Sequence, residues 1–381
     1  MTSPIQESFQ EKHLAWSSKQ GRILNANGKA LEYYTEERGF PFYENELPHH
    51  YLTRDETHQV FRSWLPTGSP STTTTTSPSL SICGAWKRSL FCGSWEHSTE
   101  DEESVFNIQT NSLFIDLRIP TSRRHVLPPA PAQTTQDCCT SLASLTEEQL
   151  RFYARQHVFG GFSKVTTERG REVCTRHHCM DWNHVLGHPR PRPNKWWIEM
   201  HPDNDNTDKD MWKEWAYATD EFGQHYYMER WERLEEGNAD QRLALRRQEG
   251  SDGILVVVGD HFSYLLSRCL LGTEDVEGRS TLVEVVDAAL ARGDRSTAEA
   301  FLSMEAGHGR ISAGWIIDAA IQPWREGHAL FEDGDIAVEG DSIDACHVMW
   351  KGARWSVYES SFKTVDDLRT ALCQSRKRQR I

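Results

Sequence analysis

The chain lacks any apolar run near the ~18–20 residues that a membrane-spanning helix needs. Its opening, MTSPIQESFQEKH, also lacks the apolar core of a signal peptide. These two absences lead to the expectation of a soluble, cytoplasmic protein. A basic surplus is missing too: 42 Lys and Arg stand against 56 Asp and Glu, a formal net charge of −14. Nucleic acid and anionic membrane both need a cationic footprint, so neither is expected as a partner. Only the closing SRKRQRI is locally basic, and it reads as a nuclear-import address or as a solvated helix end. The chain has no Walker loop, no GxGxxG after a strand, no nucleophile elbow and no HExxH. An enzyme built on it is therefore expected to work without nucleotide, flavin or other cofactor. Nine cysteines in 381 residues follow no paired spacing, which argues against a disulfide framework and for reduced, mostly buried thiols.

Tryptophan, by contrast, is abundant: the chain has 14, all but Trp16 and Trp64 from Trp86 onward. So many large, rigid rings suit an aromatic-lined site or a sheet-rich core. Residues 1–80 read as a polar and aromatic extension, with LEYYTEERGFPFYENELPHHYL, that ends in the Ser/Thr/Pro linker PTGSPSTTTTTSPS. Residues 81–362 carry short strand-like runs separated by turn residues, among them GAWKRSLF, SLFIDLRI, KWWIEM, GQHYYMERWERL and GILVVVGDHFSYLL. Residues 363–381 read as a C-terminal helix and basic tail. Other helices are few and begin at capping boxes: Thr146/Gln149, Thr281/Glu284 and Ser296/Glu299. Many strands without regular β-helix alternation predict a mainly β fold, an antiparallel β-barrel, one large or two smaller, with a few short helices.

Strand side chains alternate between two faces. In SLFIDLRIP, Leu113, Ile115, Leu117 and Ile119 share one face, while Phe114, Asp116 and Arg118 share the other. In KWWIEM, Trp196, Ile198 and Met200 oppose Trp197 and Glu199. In GQHYYMERWERL, Tyr227, Glu229, Trp231 and Arg233 lie together. Acids that share a face with aromatic rings suit neither bulk water nor a dry core. They suit a partly wet, aromatic-lined cavity inside a barrel, and the alternative is a surface ion pair between Asp116 and Arg118.

The cluster CTRHHCMDWNHVLGHP brings Cys174, His177, His178, Cys179, Asp181, His184 and His188 together in sequence. No second pair follows at finger or ribbon spacing, and a strand would put Cys174 and Cys179 on opposite faces. The default is therefore no metal, with satisfied polar residues and a turn. In GDHFSY, Asp260, His261 and Tyr264 lie at the end of the buried run ILVVV, where His261 is either an acid/base or a structural histidine. After Pro323, Trp324 and Arg325 suit stacking on a planar or anionic ligand, or Arg325 pairs with Glu326 or Asp318.

SLFIDLRIP, VVGDHFSY, GRISAGW and PWREG, in this order, resemble an uncharacterised bacterial and fungal family marked by LFxDLRIP, GDxF, GR…W and PWREG, over roughly residues 82–330. That family is similar to a fungal group of lipocalin-like β-barrels, one of them named for interaction with a yeast casein kinase. In length and expected barrel shape the chain also resembles cofactor-free fungal enzymes that steer hetero-Diels–Alder cyclisations in tropolone–sesquiterpenoid pathways. The resemblance implies a lipocalin-like barrel and a cyclase of natural-product biosynthesis acting on a hydrophobic, unsaturated small molecule, or a related isomerase or dehydratase. Phe114, Trp197, Tyr226, Tyr227, Trp231, Tyr264, Trp315 and Trp324 would line the substrate, Arg118 or Arg325 would donate to a carbonyl, and Asp116, Glu199, Glu229 or His261 would hold those donors or move a proton. The alternative is a non-catalytic carrier or protein-interaction module. The aromatic N-terminal extension offers a route to a homodimer.

Overall fold

The computed structural model describes residues 82–373 apart from 94–96, 100, 128–140, 169, 184–193, 201–209, 218–226, 238–239, 248–251, 269–278, 280 and 333. It also describes a short antiparallel hairpin, β1 (Ala15–Ser17) with β2 (Arg22–Leu24). The rest of the N-terminal extension and linker, Tyr226, His184, His188 and the tail from 374 lie outside the described residues.

Eight antiparallel strands close into a barrel. They are β3 (Gly84–Gly93), β5 (Glu103–Gln109), β6 (Leu113–Pro120), β7 (His157–Glu168), β8 (Arg171–Asp181), β9 (Asn194–Met200), β10 (Met211–Ala216) and β11 (Tyr227–Arg233). Each pairs with the next, and β11 returns to β3 to shut the cylinder, while the short β4 (His97–Thr99) adds to β3. Closure leaves these eight strands with no unpaired edge along the ring.

The second half of the chain forms one open antiparallel sheet, in the order β16-β15-β14-β13-β12-β19-β18-β17. Its strands are β12 (Arg242–Arg247), β13 (Gly253–Val258), β14 (His261–Leu266), β15 (Glu305–Arg310), β16 (Ile316–Ala320), β17 (Ile336–Glu339), β18 (His347–Trp350) and β19 (Ala353–Ser360). The architecture is thus one closed barrel and one sheet. One core joins them: the outward side chains Ile108, Leu113, Ile115, Leu117, Val158 and Met180 of the barrel pack with Ala244, Ile254, Val256, Val258 and Leu265 of the sheet. This explains the unbroken run GILVVV, because Ile254 and Val256 face the barrel while Leu255 and Val257 face a second core on the far side of the sheet.

Helices α1 (Glu147–Tyr153), α2 (Leu282–Ala291) and α3 (Arg295–Phe301) complete the shared core with Leu150, Val286, Leu290 and Phe301. Capping boxes at Thr146/Gln149 and Thr281/Glu284 form as their spacing predicts. The third start differs: Asp294, not Ser296, caps α3 by accepting from the Thr297 N–H. A carboxylate two residues upstream satisfies the helix N-terminus, which leaves Ser296 inside the first turn. Helix α4 (Val365–Cys373) is not a detached tail, since Val365, Leu368 and Leu372 fill the sheet's second core. Among the described residues, no helix is long and apolar enough to cross a membrane.

Each sheet carries a glycine at a register shift. A Cβ on Gly161 would lie 1.9 Å from the His177 carbonyl oxygen, and one on Gly309 would lie 1.9 Å from that of Ile316. Gly161→Ala and Gly309→Ala are each expected to cost at least ~1–3 kcal/mol in urea unfolding, as overpacked sites do. Wild-type midpoints for either variant would show that its bulge has room to open.

Candidate functional site in the barrel interior

The ladder registers fix which side chains enter the barrel. Asp116 lies opposite Asn107 and Phe159, Arg118 opposite Val105 and His157, and Cys174 opposite both Val165 and Trp196. On the far wall Trp212 faces Trp231, Glu214 faces Glu229, and Glu229 faces Phe91. Residues paired in this way share a face. The Asp/Arg face of SLFIDLRIP therefore looks into the barrel, and its Leu/Ile face supplies the core outside.

One end of the interior is plugged by rings. Trp212 and Trp231 stack at 5.6 Å, Trp86 meets Trp212 edge-on at 6.1 Å, and Trp196, Ile198 and Val105 join them. The Arg233 guanidinium lies 4.2 Å over Trp86 and covers that end. Towards the other end the lining is charged. Arg118 Nε donates to Asp116 Oδ1 at 2.7 Å and its Nη1 to Glu229 Oε1 at 3.4 Å. Arg88 donates to the same Glu229 oxygen at 3.1 Å and pairs with Glu103. Arg176 reaches Asp116 Oδ2 at 3.5 Å and Gln109 Oε1 at 2.8 Å, while its guanidinium lies over Phe114 and Trp196. The Arg118 side chain is 19% exposed, Glu103 26% and His157 30%, whereas Asp116 is fully buried, so the rim lies at the first three.

Three guanidiniums thus meet three carboxylates, Glu103, Asp116 and Glu229, and a fourth acid, Glu214, has no cation of its own in this set. Burial opposes ionisation of Asp116, but Arg118 and Arg176 override it and hold its carboxyl below the usual range. For Glu214 burial and the Glu229 charge act together, against weaker help from Arg176, Tyr227 and Arg118, and push it up to about 8. It carries a proton at neutral pH and accepts from Tyr227 Oη at 2.9 Å through Oε1. Several interior polar atoms have no partner among the described residues: both amide atoms of Asn107, Glu229 Oε2, Arg176 Nε and the indole nitrogens of Trp196, Trp212 and Trp231. Buried groups of this kind call for water or a ligand.

No family model and no curated protein matches the chain. Among solved structures, the uncharacterized protein YLR301w from Saccharomyces cerevisiae is similar over 73% of this chain and 98% of its own, at 12% identity and a TM-score of 0.38.

Of the residues singled out from sequence, Phe114, Asp116, Arg118, Tyr227, Glu229 and Trp231 meet in the interior. Trp197 and Glu199 do not: β9 turns its Trp196, Ile198 and Met200 face inward, so Trp197 stacks on Tyr217 outside and Glu199 accepts from Trp215 Nε1. His261, Tyr264, Trp315, Trp324 and Arg325 belong to the second sheet and its turns, and do not join the barrel interior. His261 Nε2 bonds the Glu235 carbonyl at 2.7 Å and its ring stacks on His308, the structural alternative of the two weighed for it. Tyr264 and Trp315 pack in the sheet's far core, with Arg325 beside Tyr264, and Trp324 stacks on Tyr153. Glu326 pairs with Arg123.

Within the Cys/His cluster, Cys174 and His178 point inward and Cys179 joins the outer core. Burial raises the Cys174 thiol to about 12. His178 Nδ1 and Asp181 Oδ2 are 2.8 Å apart. Among the described residues no three His, Cys, Asp or Glu side chains converge on a metal position. Sequence reasoning missed Arg88, Asn107, Gln109, Arg176 and Glu214. The signal was present, since Trp86 and Arg88 alternate as Phe114, Asp116 and Arg118 do, and Trp212 and Glu214 repeat the aromatic-plus-acid face.

The folded chain holds a proton on Glu214 that the unfolded chain releases above the ordinary value of 4.5. Stability from this group is complete below that value and is lost as pH rises to about 8. The stability difference between Glu214→Gln and wild type should therefore grow in the variant's favour from pH 5 to 8, by on the order of a few kcal/mol. Denaturant unfolding at several pH values checks this, and a pH-independent difference would mean that Glu214 is ionised throughout.

Proposed function

We propose that the barrel is an acid–base enzyme for a neutral, oxygenated small molecule, an isomerase or dehydratase working without nucleotide or flavin. One observation carries this reading: Glu214 stands directly opposite Glu229 inside an aromatic-lined barrel, with Arg88 and Arg118 on Glu229 and no ion-pair partner on Glu214 among the described residues. Side chains directly opposite on an antiparallel pair have Cβ atoms about 4.5–5.5 Å apart, so both reach one substrate. Burial and the Glu229 charge push Glu214 up to about 8, and neighbouring carboxyls in unlike surroundings are the usual arrangement for an acid and a base.

Glu229 Oε1 is occupied by Arg88 and Arg118, while Oε2 has no partner among the described residues. Oε2 is the base that takes a proton from a substrate carbon. Glu214 gives its proton to a second carbon, which isomerises the substrate, or to a hydroxyl, which leaves as water. Either route leaves Glu229 protonated and Glu214 ionised, and one proton passed back between them restores the pair. The Asn107 amide and the indole N–H groups offer donors to a substrate oxygen, and Arg118 at the rim steadies charge that develops there. Charged or ionisable side chains in the lining, among them Arg88, Asp116, Arg118, Arg176, Glu214 and Glu229, favour proton transfer over a purely apolar cyclisation.

The full-length protein should catalyse deuterium uptake from D2O, or loss of water, in a panel of neutral β,γ-unsaturated and β-hydroxy ketones followed by NMR. Glu229→Gln and Glu214→Gln should each lower the rate ~10²–10⁴-fold while binding, read by tryptophan fluorescence, persists. Binding without exchange would favour a carrier, and neither binding nor exchange would remove the enzyme reading.

A further inference from the structure

Proton transfer by Glu229 and Glu214 leaves two deep side chains of the lumen without a task, Arg176 of β8 and Gln109 of β5, 1% and 0% exposed. Both face inward, since Gln109 lies opposite Phe114 and Arg176 opposite Ser163 in the ladders. The guanidinium is held from every side. The Phe114 and Trp196 rings lie 4.1 and 4.6 Å from it, while Asp116 Oδ2 and Gln109 Oε1 meet its terminal nitrogens at 3.5 and 2.8 Å. Its remaining nitrogen, Nε, is buried with no partner among the described residues. Arginine offers donors and no acceptor, so Gln109 must turn its oxygen to Arg176 and its NH2 away. That Nε2 is buried and unpartnered too, as is Nε1 of Trp196, whose ring the guanidinium covers. All three orphaned groups are donors, and they belong to side chains in direct contact.

We propose that Arg176, Gln109 and Trp196 form a donor-only subsite for the carbonyl end of a neutral ester or lactone, a class that offers acceptor oxygens and no N–H or O–H. The subsite rests on the reading of the lumen as the place where substrate binds, and it supplies the grip on the substrate while Glu229 and Glu214 act. It stands close to them: Asp116 joins Arg176 to Arg118, and Arg118 reaches Glu229. A ligand N–H or O–H placed here would face other donors and lose its partner, the costly outcome for a buried polar group. An anion fits no better, because the three arginines already meet Glu103, Asp116 and Glu229, and a further negative charge would stand beside Asp116 unmatched.

Matched probes isolate the deciding group: coumarin against 2-quinolone, and γ-butyrolactone against 2-pyrrolidinone, each pair exchanging a ring oxygen for N–H. Titrations of the full chain, read by tryptophan fluorescence and by the indole N–H signals in NMR, should show the lactone of each pair binding at least ~10-fold tighter. Gln109→Glu keeps an acceptor on Arg176 but removes the NH2, and Arg176→Lys keeps a cation for Asp116 but removes the Nε–H. Each should erase the preference for lactone. Equal binding of lactone and lactam, no binding of either lactone, or a preference unchanged in both variants would overturn the proposal. So would a crystal soaked in γ-butyrolactone with water alone at Arg176 Nε and Gln109 Nε2. Turnover is read apart from this: lactone preference without deuterium exchange would remove the enzyme reading and leave the subsite standing, and exchange in the ketone panel without that preference would do the reverse.

Discussion

Everything in the barrel depends on keeping Asp116 ionised at zero exposure. Stripping water from a carboxylate costs several kcal/mol, and only well-placed cations offset it. Arg118 comes from the same strand, but Arg176 comes from β8, and Arg118 goes on to share Glu229 of β11 with Arg88 of β3. The ion set therefore ties together strands that meet only when the cylinder is closed. Shifting one strand by a single residue would send its charged face into the hydrocarbon core outside. The closed register and the buried charges therefore stabilise each other.

That constraint reverses the ordinary layering of a β-protein. The apolar residues of β6 face outward because a second sheet waits there, and the polar residues face inward because the interior offers matched partners. A strand of this kind reads in sequence as alternating while both of its faces are buried. The alternation was legible in SLFIDLRIP and GQHYYMERWERL. In KWWIEM the inward face was misread, since the two faces carry a tryptophan each and the acid marks the outer one. An acid beside an aromatic marks a lumen only when the other wall of the strand is known to be covered, and nothing local in KWWIEM says so.

The partial legibility has a physical basis. Capping boxes were read because their chemistry is complete within four residues, while Asp294 was missed because Asp294, Ser296 and Thr297 are all capping residue types within four positions. His261, Tyr264, Trp315 and Arg325 looked like members of one site because short motifs carried them. Membership of a site is set by which strands close on one another, and β14 and β15 belong to a different sheet from β6 and β11. Arg176 was hidden in a cysteine and histidine cluster, among ligand-type residues that do not themselves reach Asp116 as it does.

Counting charge inside the barrel bears on what it accepts. Three arginines meet Glu103, Asp116 and Glu229, so that set is matched one to one before Glu214 is considered, and Asp181 stands apart from it with His178 and His157. Glu214 stays protonated because ionising it would place a net negative charge in a medium of low dielectric. An anionic ligand would raise its pKa further and keep the proton in place. A cationic ligand would draw the proton off and quench the acid. Under the acid–base reading proposed above, a neutral substrate alone leaves the proton on Glu214 and Glu229 Oε2 open. On that reading the electrostatics of the lumen favour neutral molecules, apart from any contact between substrate and wall.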